Sequence, residues 1–345
     1  MLSNRNVSRR DFLGLAGGTS LMAVLGLAGC TSGSSTEPAA TTEAATESAA
    51  YEGTVRVASL KGPTSIGLAA LMDDVDNGEC ATDYQFTIAA AADEVTGSVI
   101  SGDIDVALLP ANVGAVLYNK TEGKVSVVDI NTKGVLYGVT GDDSVSGLAD
   151  VAGKTVYTTG KGATPEYTLN YLLDYLGIAD QVTVEFKDEA TEVVSAISQD
   201  ATAVGILPEP FVTASLVKNE SLSRAFSMDD EWESATGQSL VTGITIVRNE
   251  FLEEHPEAVA QFVEEQAESV EAVQDDPETY GEVVADKGIL DSAAVAAKAI
   301  PNCNLACITG TEMQEILSSY YDILKDADAS SIGGELPKDN YYWLG

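Results

Sequence analysis

From Gly53 onward, short β-branched runs alternate with stretches of helical periodicity, and this alternation restricts the chain to an α/β architecture. Residues 54–58 (TVRVA) read as a strand, and residues 65–75, with Ile66, Ala69, Ala70 and Leu71 at helical spacing, read as the helix after it. The unit repeats as strands near 85–89, 106–109, 125–130 and 135–139, with helices over 93–100 and 112–118. A second series follows the polar stretch 141–150, with strands at 155–158, 182–186 and 203–207 and helices at 165–176, 189–198 and 210–217. A strand over 243–248 then leads into segments that are almost all helical. Two such series predict two lobes, each a mostly parallel sheet flanked by helices. The expected boundaries are 51–140 with 243–345 for lobe 1 and 141–242 for lobe 2, joined by a hinge of two crossings near 140–150 and 228–243. In α/β folds of this kind ligands bind beyond strand C-terminal ends and in interlobe clefts.

The first fifty residues have a different character. Arg9-Arg10 precedes Phe12-Leu13, a Gly- and Ala-rich apolar segment runs over 14–26, and Leu27-Ala28-Gly29-Cys30 follows. The segment is too short for a membrane span of about 20 residues and reads as an export signal. The paired arginines resemble a twin-arginine signal, and the four residues ending at Cys30 resemble a lipobox whose cysteine is acylated. Residues 1–29 are thus expected to be a signal peptide. Residues 30–50, rich in Ser, Thr, Ala and Glu, bury too little to fold and are expected to be a lipidated, disordered tether. The chain would then sit on the outer face of the cytoplasmic membrane.

Eighteen Lys and Arg stand against 54 Asp and Glu, a formal net charge of -36. Phosphate backbones repel such a chain, which excludes nucleic acid as a partner. The single histidine, His255, removes two-histidine metal sites and acid–base pairs, and it reads as a surface residue between helices. The acidic runs Asp73-Asp74-Val75-Asp76 and Asp229-Asp230-Glu231 do not match a calcium loop; counted from Asp74, the twelfth position is Gln85. They read as solvated helix ends. No metal or cofactor is expected. Beyond Cys30 an odd number of cysteines remains, Cys80, Cys303 and Cys307, so at least one is a free thiol or bonds another chain.

Four loops carry the residue types that recognise small solutes. Lys61-Gly62-Pro63-Thr64-Ser65 and Lys161-Gly162-Ala163-Thr164-Pro165 each follow a strand and open a helix, one per lobe. Glycines let backbone N–H groups approach a ligand, the helix N-terminus adds partial positive charge, and each lysine adds a full one. Ordinary capping by Thr or Ser is the plain alternative. The second loop lacks the third glycine of a dinucleotide fingerprint. The nearby GLADVAGKT at 147–155 has the wrong glycine spacing for a P-loop and is followed by a strand, so nucleotide binding is excluded at both. Asn112 after Pro110-Ala111 and Glu209 within Pro208-Glu209-Pro210-Phe211 are placed by prolines at strand ends, where they point into the same cleft or cap the next helix. Asn302 and Asn304 flank Cys303 in a turn between helices.

Taken together, KGPTSIG, LPAN, NKTEGKV, TTGKGATPEY, LPEPFV, VRNEFLEEHPEAV and AIPNCN resemble the periplasmic-binding-protein type II family of ABC-transporter solute receptors, in its nitrate/sulfonate/taurine-like (SsuA/THI5-like) branch. The resemblance covers about residues 54–345. It implies a monomeric bilobed receptor that captures a small solute and presents it to a permease and its ATPase. The implied solutes are sulfonates, nitrate, taurine-like anions or pyrimidine vitamin precursors. The resemblance implies Thr64, Ser65, Asn112, Gly162, Ala163, Thr164 and Glu209 as ligand residues, with Asn302 from the turn around Cys303, and the loop reading adds Lys61 and Lys161. Enzymes on the same fold, such as the self-consuming pyrimidine synthases, rely on histidines that this chain lacks, so binding is expected rather than catalysis. The alternative is an exported enzyme using Glu209 as base and Cys303 as nucleophile.

Overall fold

The computed structural model describes residues 51–161 and 164–345; Arg9, Arg10, Cys30, the signal and tether segments, Gly162 and Ala163 lie outside the described residues. Eleven strands are formed among them: β1 (Thr54–Leu60), β2 (Asp83–Ala89), β3 (Val106–Pro110), β4 (Val125–Lys133), β5 (Leu136–Thr140), β6 (Thr155–Thr158), β7 (Thr183–Phe186), β8 (Val204–Pro208), β9 (Ser223–Ser227), β10 (Val241–Arg248) and β11 (Leu305–Ile308). They form two sheets, ordered β11-β4-β10-β3-β1-β2 and β7-β6-β8-β5-β9.

Both sheets follow one plan. The first strand of each series lies between the second and the third, paired parallel (β1 with β2 and β3; β6 with β7 and β8). A strand from an interlobe crossing then enters antiparallel between the third and fourth: β10 between β3 and β4, and β5 between β8 and β9. The sheets are therefore mixed, not mostly parallel as the alternation predicts. The reason is connectivity: β5 and β10 enter from the other lobe and not by a strand–helix–strand crossover within their own sheet, so nothing requires them to run parallel.

The first crossing also falls earlier than expected. β4 and β5 are separated by only Gly134 and Val135, and Leu136–Thr140 belongs to the second sheet, not to lobe 1. A near-continuous run of strand-forming residues over 125–140 conceals that change of sheet. The return runs through the helix Met228–Thr236, which Ser227 starts by accepting hydrogen bonds from the backbone N–H groups of Asp229 and Asp230. Gly237, at φ 77°, ends it.

Burial follows the sequence periods. In the helix Gly310–Ala327, Met313, Leu317, Tyr320, Tyr321 and Leu324 are buried on one stripe. Val55, Val57, Leu108 and Phe262 pack one face of the first sheet, and Val139, Val193, Leu207 and Val212 one face of the second. A third cluster is shared between lobes, running from Leu109, Ile130 and Ile244 to Leu172 and Trp232. Among the acidic runs, Asp76 pairs with Lys287 at 2.5 Å, and Asp229 accepts from the backbone of Leu240 at 2.6 Å. His255 is half-buried, its ring 4.6 Å from that of Tyr51 and 5.3 Å from that of Phe251. Among the described residues no helix is long and apolar enough to cross a membrane.

Candidate functional site

The predicted loops meet along the seam between the lobes. After β1, Gly62 at φ 117° turns the chain in a conformation only glycine adopts readily, and Pro63 opens a short helix. Thr64 and Ser65 donate to the Leu60 carbonyl at 3.0 and 2.6 Å, and Ser65 is also 2.5 Å from the Ser59 hydroxyl. These hydroxyls pin the loop to the strand end and do not cap the helix. After β3, buried Asn112 gives its Nδ2 to the Ser331 carbonyl at 3.4 Å and accepts at Oδ1 from the Thr164 hydroxyl at 3.2 Å. That bond joins the lobes. Two further hydroxyls, of Thr168 on the same helix as Thr164 and of Tyr320 opposite, are buried without a hydrogen-bond partner of good geometry. Such groups are costly unless a ligand or water satisfies them.

A second junction lies around Glu209. Its Oε1 accepts from Arg224 and from the Thr213 hydroxyl at 3.0 Å, and its Oε2 from the Thr213 N–H at 3.1 Å. Arg224 lies on the Tyr137 ring, 4.3 Å from its centre, and donates to Asn302 Oδ1 at 2.5 Å. Tyr137 donates to the Asn302 carbonyl at 2.9 Å. Burial raises the Glu209 carboxyl above its ordinary value, outweighing Thr213 and Arg224, which pull the other way. Cys303 is buried beside this group, its Sγ directed at the Ala299 carbonyl at 3.3 Å, and burial pushes its thiol far up. A thiol so held is a poor nucleophile. Cys80, Cys303 and Cys307 are all free.

The NMT1/THI5-like family model matches residues 86–280, more than half of the chain. The chain belongs to the NMT1/THI5-like family. Solved structures agree on the fold. An ABC transporter protein from Parabacteroides distasonis, 20% identical, superposes with a TM-score of 0.71 over 84% of this chain and 98% of that one. The periplasmic aliphatic sulphonate binding protein SsuA from Escherichia coli, 13% identical, gives 0.68 over 84% and 92%. The alkanesulfonate-binding protein SsuA from Xanthomonas axonopodis pv. citri, bound to MOPS and 14% identical, gives 0.61 over 84% and 96%. No curated protein matches the sequence. This NMT1/THI5-like chain thus has the two-lobed α/β fold of periplasmic binding proteins.

Of the residues singled out in the sequence, the NMT1/THI5-like structure brings Asn112 to Thr164 and Glu209, through Arg224, to Asn302. It leaves both lysines exposed. The Lys61 backbone N–H donates to Ala89, and the Lys161 ammonium stands 5.9 Å over the Phe186 ring, at the rim of a groove of about 920 Å³ also lined by Tyr167, Tyr171 and Asp174. Sequence reading missed Tyr137 and considered Arg224 only as one of three arginines beyond the leader, with Arg56 and Arg248, that could clamp an anionic group; in the structure the other two share Asp105, at 2.5 and 2.9 Å.

Proposed function

We propose that this chain is the solute-binding lipoprotein of an ABC importer, closing its two lobes on a small solute and delivering it to the permease and ATPase. The supporting observation is that polar side chains from both lobes meet at the seam, in the Thr164–Asn112 bond and in the contacts of Arg224 and Tyr137 with Asn302. Contacts of this kind form on closure, and a solute that adds to them shifts the chain toward the closed state. The moving units are the two sheets with their helices, turning at Gly134–Val135 and in the segment before β10.

The solutes to test are an alkanesulfonate, in line with the names of the sulfonate-binding neighbours, and taurine, nitrate and a hydroxymethyl-aminopyrimidine, the classes that the sequence resemblance implies. One that binds at a hundredfold excess over its Kd stabilises the chain by about 2.7 kcal/mol, which a melting scan reads directly. Absence of any shift across the panel refutes the proposal. The monomer would be exported through the Arg9-Arg10 signal and held on the outer face of the membrane by acylated Cys30. Cys30→Ser should then release it into the medium or periplasm. An enzyme built on Glu209 and Cys303 is disfavoured, because the carboxylate is committed to Arg224 and Thr213 and the thiol is buried in its protonated form.

A further inference from the structure

Behind the seam, the first sheet buries a polar chain that no ion pair explains. Asp129 on β4 is fully buried; its Oδ1 accepts from the Thr245 hydroxyl on β10 at 3.0 Å and from Gln266 Nε2, on the helix Pro256–Asp275, at 3.0 Å. Its Oδ2 has no partner. Thr245 Oγ1 has one proton and two lone pairs. The proton goes to Asp129 at 3.0 Å in preference to Gln266 Oε1 at 3.4 Å, and the lone pairs face Asn131 Nδ2 and Gln266 Nε2, each at 3.2 Å. Asp129 Oδ1 accepts whether the carboxyl is ionised or carries its proton on Oδ2, so the polarity of the relay is the same in both states.

That polarity fixes Asn131. Its Nδ2 must face Thr245, which turns its Oδ1 the other way, where it accepts from the Thr132 hydroxyl at 2.8 Å. There it lies close to Gly243 near the start of β10: a Cβ on Gly243 would stand 2.4 Å from Asn131 Oδ1 and 2.9 Å from the Thr64 methyl. Asn131 therefore sits beside the first loop and at the root of the hinge. Its hydrogen bonds use one of two N–H donors and one of two acceptor positions of the amide, in a residue only 3% exposed. The hydroxyl of Thr242, next to Gly243, is also buried without a partner.

We infer that Asn131 is a solute-contacting residue of the interlobe site, and that Asp129 and Thr245 are positioning residues that hold its amide in one orientation. The inference rests on the solute-binding reading above. Its test is calorimetric titration of the full chain with ethanesulfonate, taurine, nitrate and 4-amino-5-hydroxymethyl-2-methylpyrimidine, first in the wild type and then in three variants. Thr245→Val removes the relay hydroxyl at nearly constant shape and should weaken the bound probe roughly tenfold, as expected for one hydrogen bond lost or misdirected. Thr245→Ser keeps the hydroxyl and should bind within about threefold of wild type. Asn131→Ala should weaken binding at least as much as Thr245→Val, and it stands in for that variant if the latter does not fold, judged by ligand-free melting. Unchanged affinity in Asn131→Ala or Thr245→Val overturns the inference while leaving the solute-binding reading intact, and so does equal loss in the Val and Ser variants, which would mark a packing effect. Failure of the wild type to bind any of the four probes overturns both.

Discussion

Asp129 also makes a quantitative statement about stability. Burial pushes its carboxyl up to about 7, with Thr245 and Gln266 pulling in the other direction, whereas an aspartate in an unfolded chain titrates near 3.9. Because the folded value is raised, the folded chain holds this proton more tightly, and stability falls as pH rises between those two values. Each pH unit of difference is worth about 1.4 kcal/mol, so the full penalty, reached above pH 7, is on the order of 4 kcal/mol. Asp129→Asn cannot ionise. Its stability relative to wild type should therefore climb by roughly 3 kcal/mol between pH 5 and pH 8, or about 5–10 °C in melting temperature for a domain of this size. The constant part of the difference depends on how the new amide N–H is accommodated where Oδ2 now lacks a partner, so only the pH dependence is diagnostic. Parallel melting scans from pH 5 to pH 8 measure it, and an offset that stays flat refutes the argument. Glu209 and Asp229, both raised by burial, add slopes of the same sign in wild type and variant alike and cancel in the comparison.

Arg224→Met leaves the Glu209 carboxylate buried and unpaired and should cost about 3 kcal/mol in urea unfolding, with Glu209→Gln in the same chain recovering part of the loss. Gly243→Ala drives a methyl into Asn131 and Thr64; a destabilisation of about 1–3 kcal/mol is expected, and an unperturbed melting curve would contradict the close packing. Native thiol titration at pH 8 should modify half-buried Cys80 first, since its thiol is raised only to about 11, and Cys303 and Cys307 only after unfolding. Replacing Lys61 and Lys161 together by alanine should change stability by less than about 0.5 kcal/mol and leave solute affinity within threefold, because both ammonium groups stand at the surface; a tenfold loss would return them to the site.

The sequence made some of this legible for identifiable reasons. Loops after β1, β3, β6 and β8 announce themselves through Gly, Pro and hydroxyl residues, and Asn112, Thr164 and Glu209 all come to the seam from such loops. What sequence reading missed or did not place lies within strands. Arg224, Tyr137, Asn131 and Thr245 occupy β9, β5, β4 and β10, where a polar residue reads as one side of an alternating strand and nothing local reveals which neighbour it will face. Only the pairing of β10 between β3 and β4 sets Thr245 opposite Asp129, and that pairing joins segments more than a hundred residues apart. The lysines stand apart: their loop context suggests a ligand cradle, whereas in the structure both are exposed, and a long ammonium side chain keeps its charge in water unless a partner draws it inward.

Of the two crossings, sequence reading places the returning one within 228–243 and sets the outgoing one at 140–150, several residues beyond Gly134–Val135. Gly134, at the outgoing crossing, carries no side chain because Asp229 fills the space: a Cβ there would lie 2.6 Å from that of Asp229. Asp229 in turn accepts from the Leu240 N–H at 2.6 Å, on the returning chain just ahead of β10. One carboxylate, at the start of the helix Met228–Thr236, thus contacts both crossings, while the Gly134 carbonyl accepts from Asn304 of the lobe 1 segment. The acidic run that looks like a solvated helix end is, at its first residue, a clasp over the hinge. Neither crossing can turn far without moving Asp229, so the opening and closing proposed above requires either that the helix move along or that the bond to Leu240 break. Asp229→Ala should accordingly loosen the lobes against each other while sparing the packing inside each sheet, a change that hydrogen exchange would report at Leu240 and not at the strands of either core.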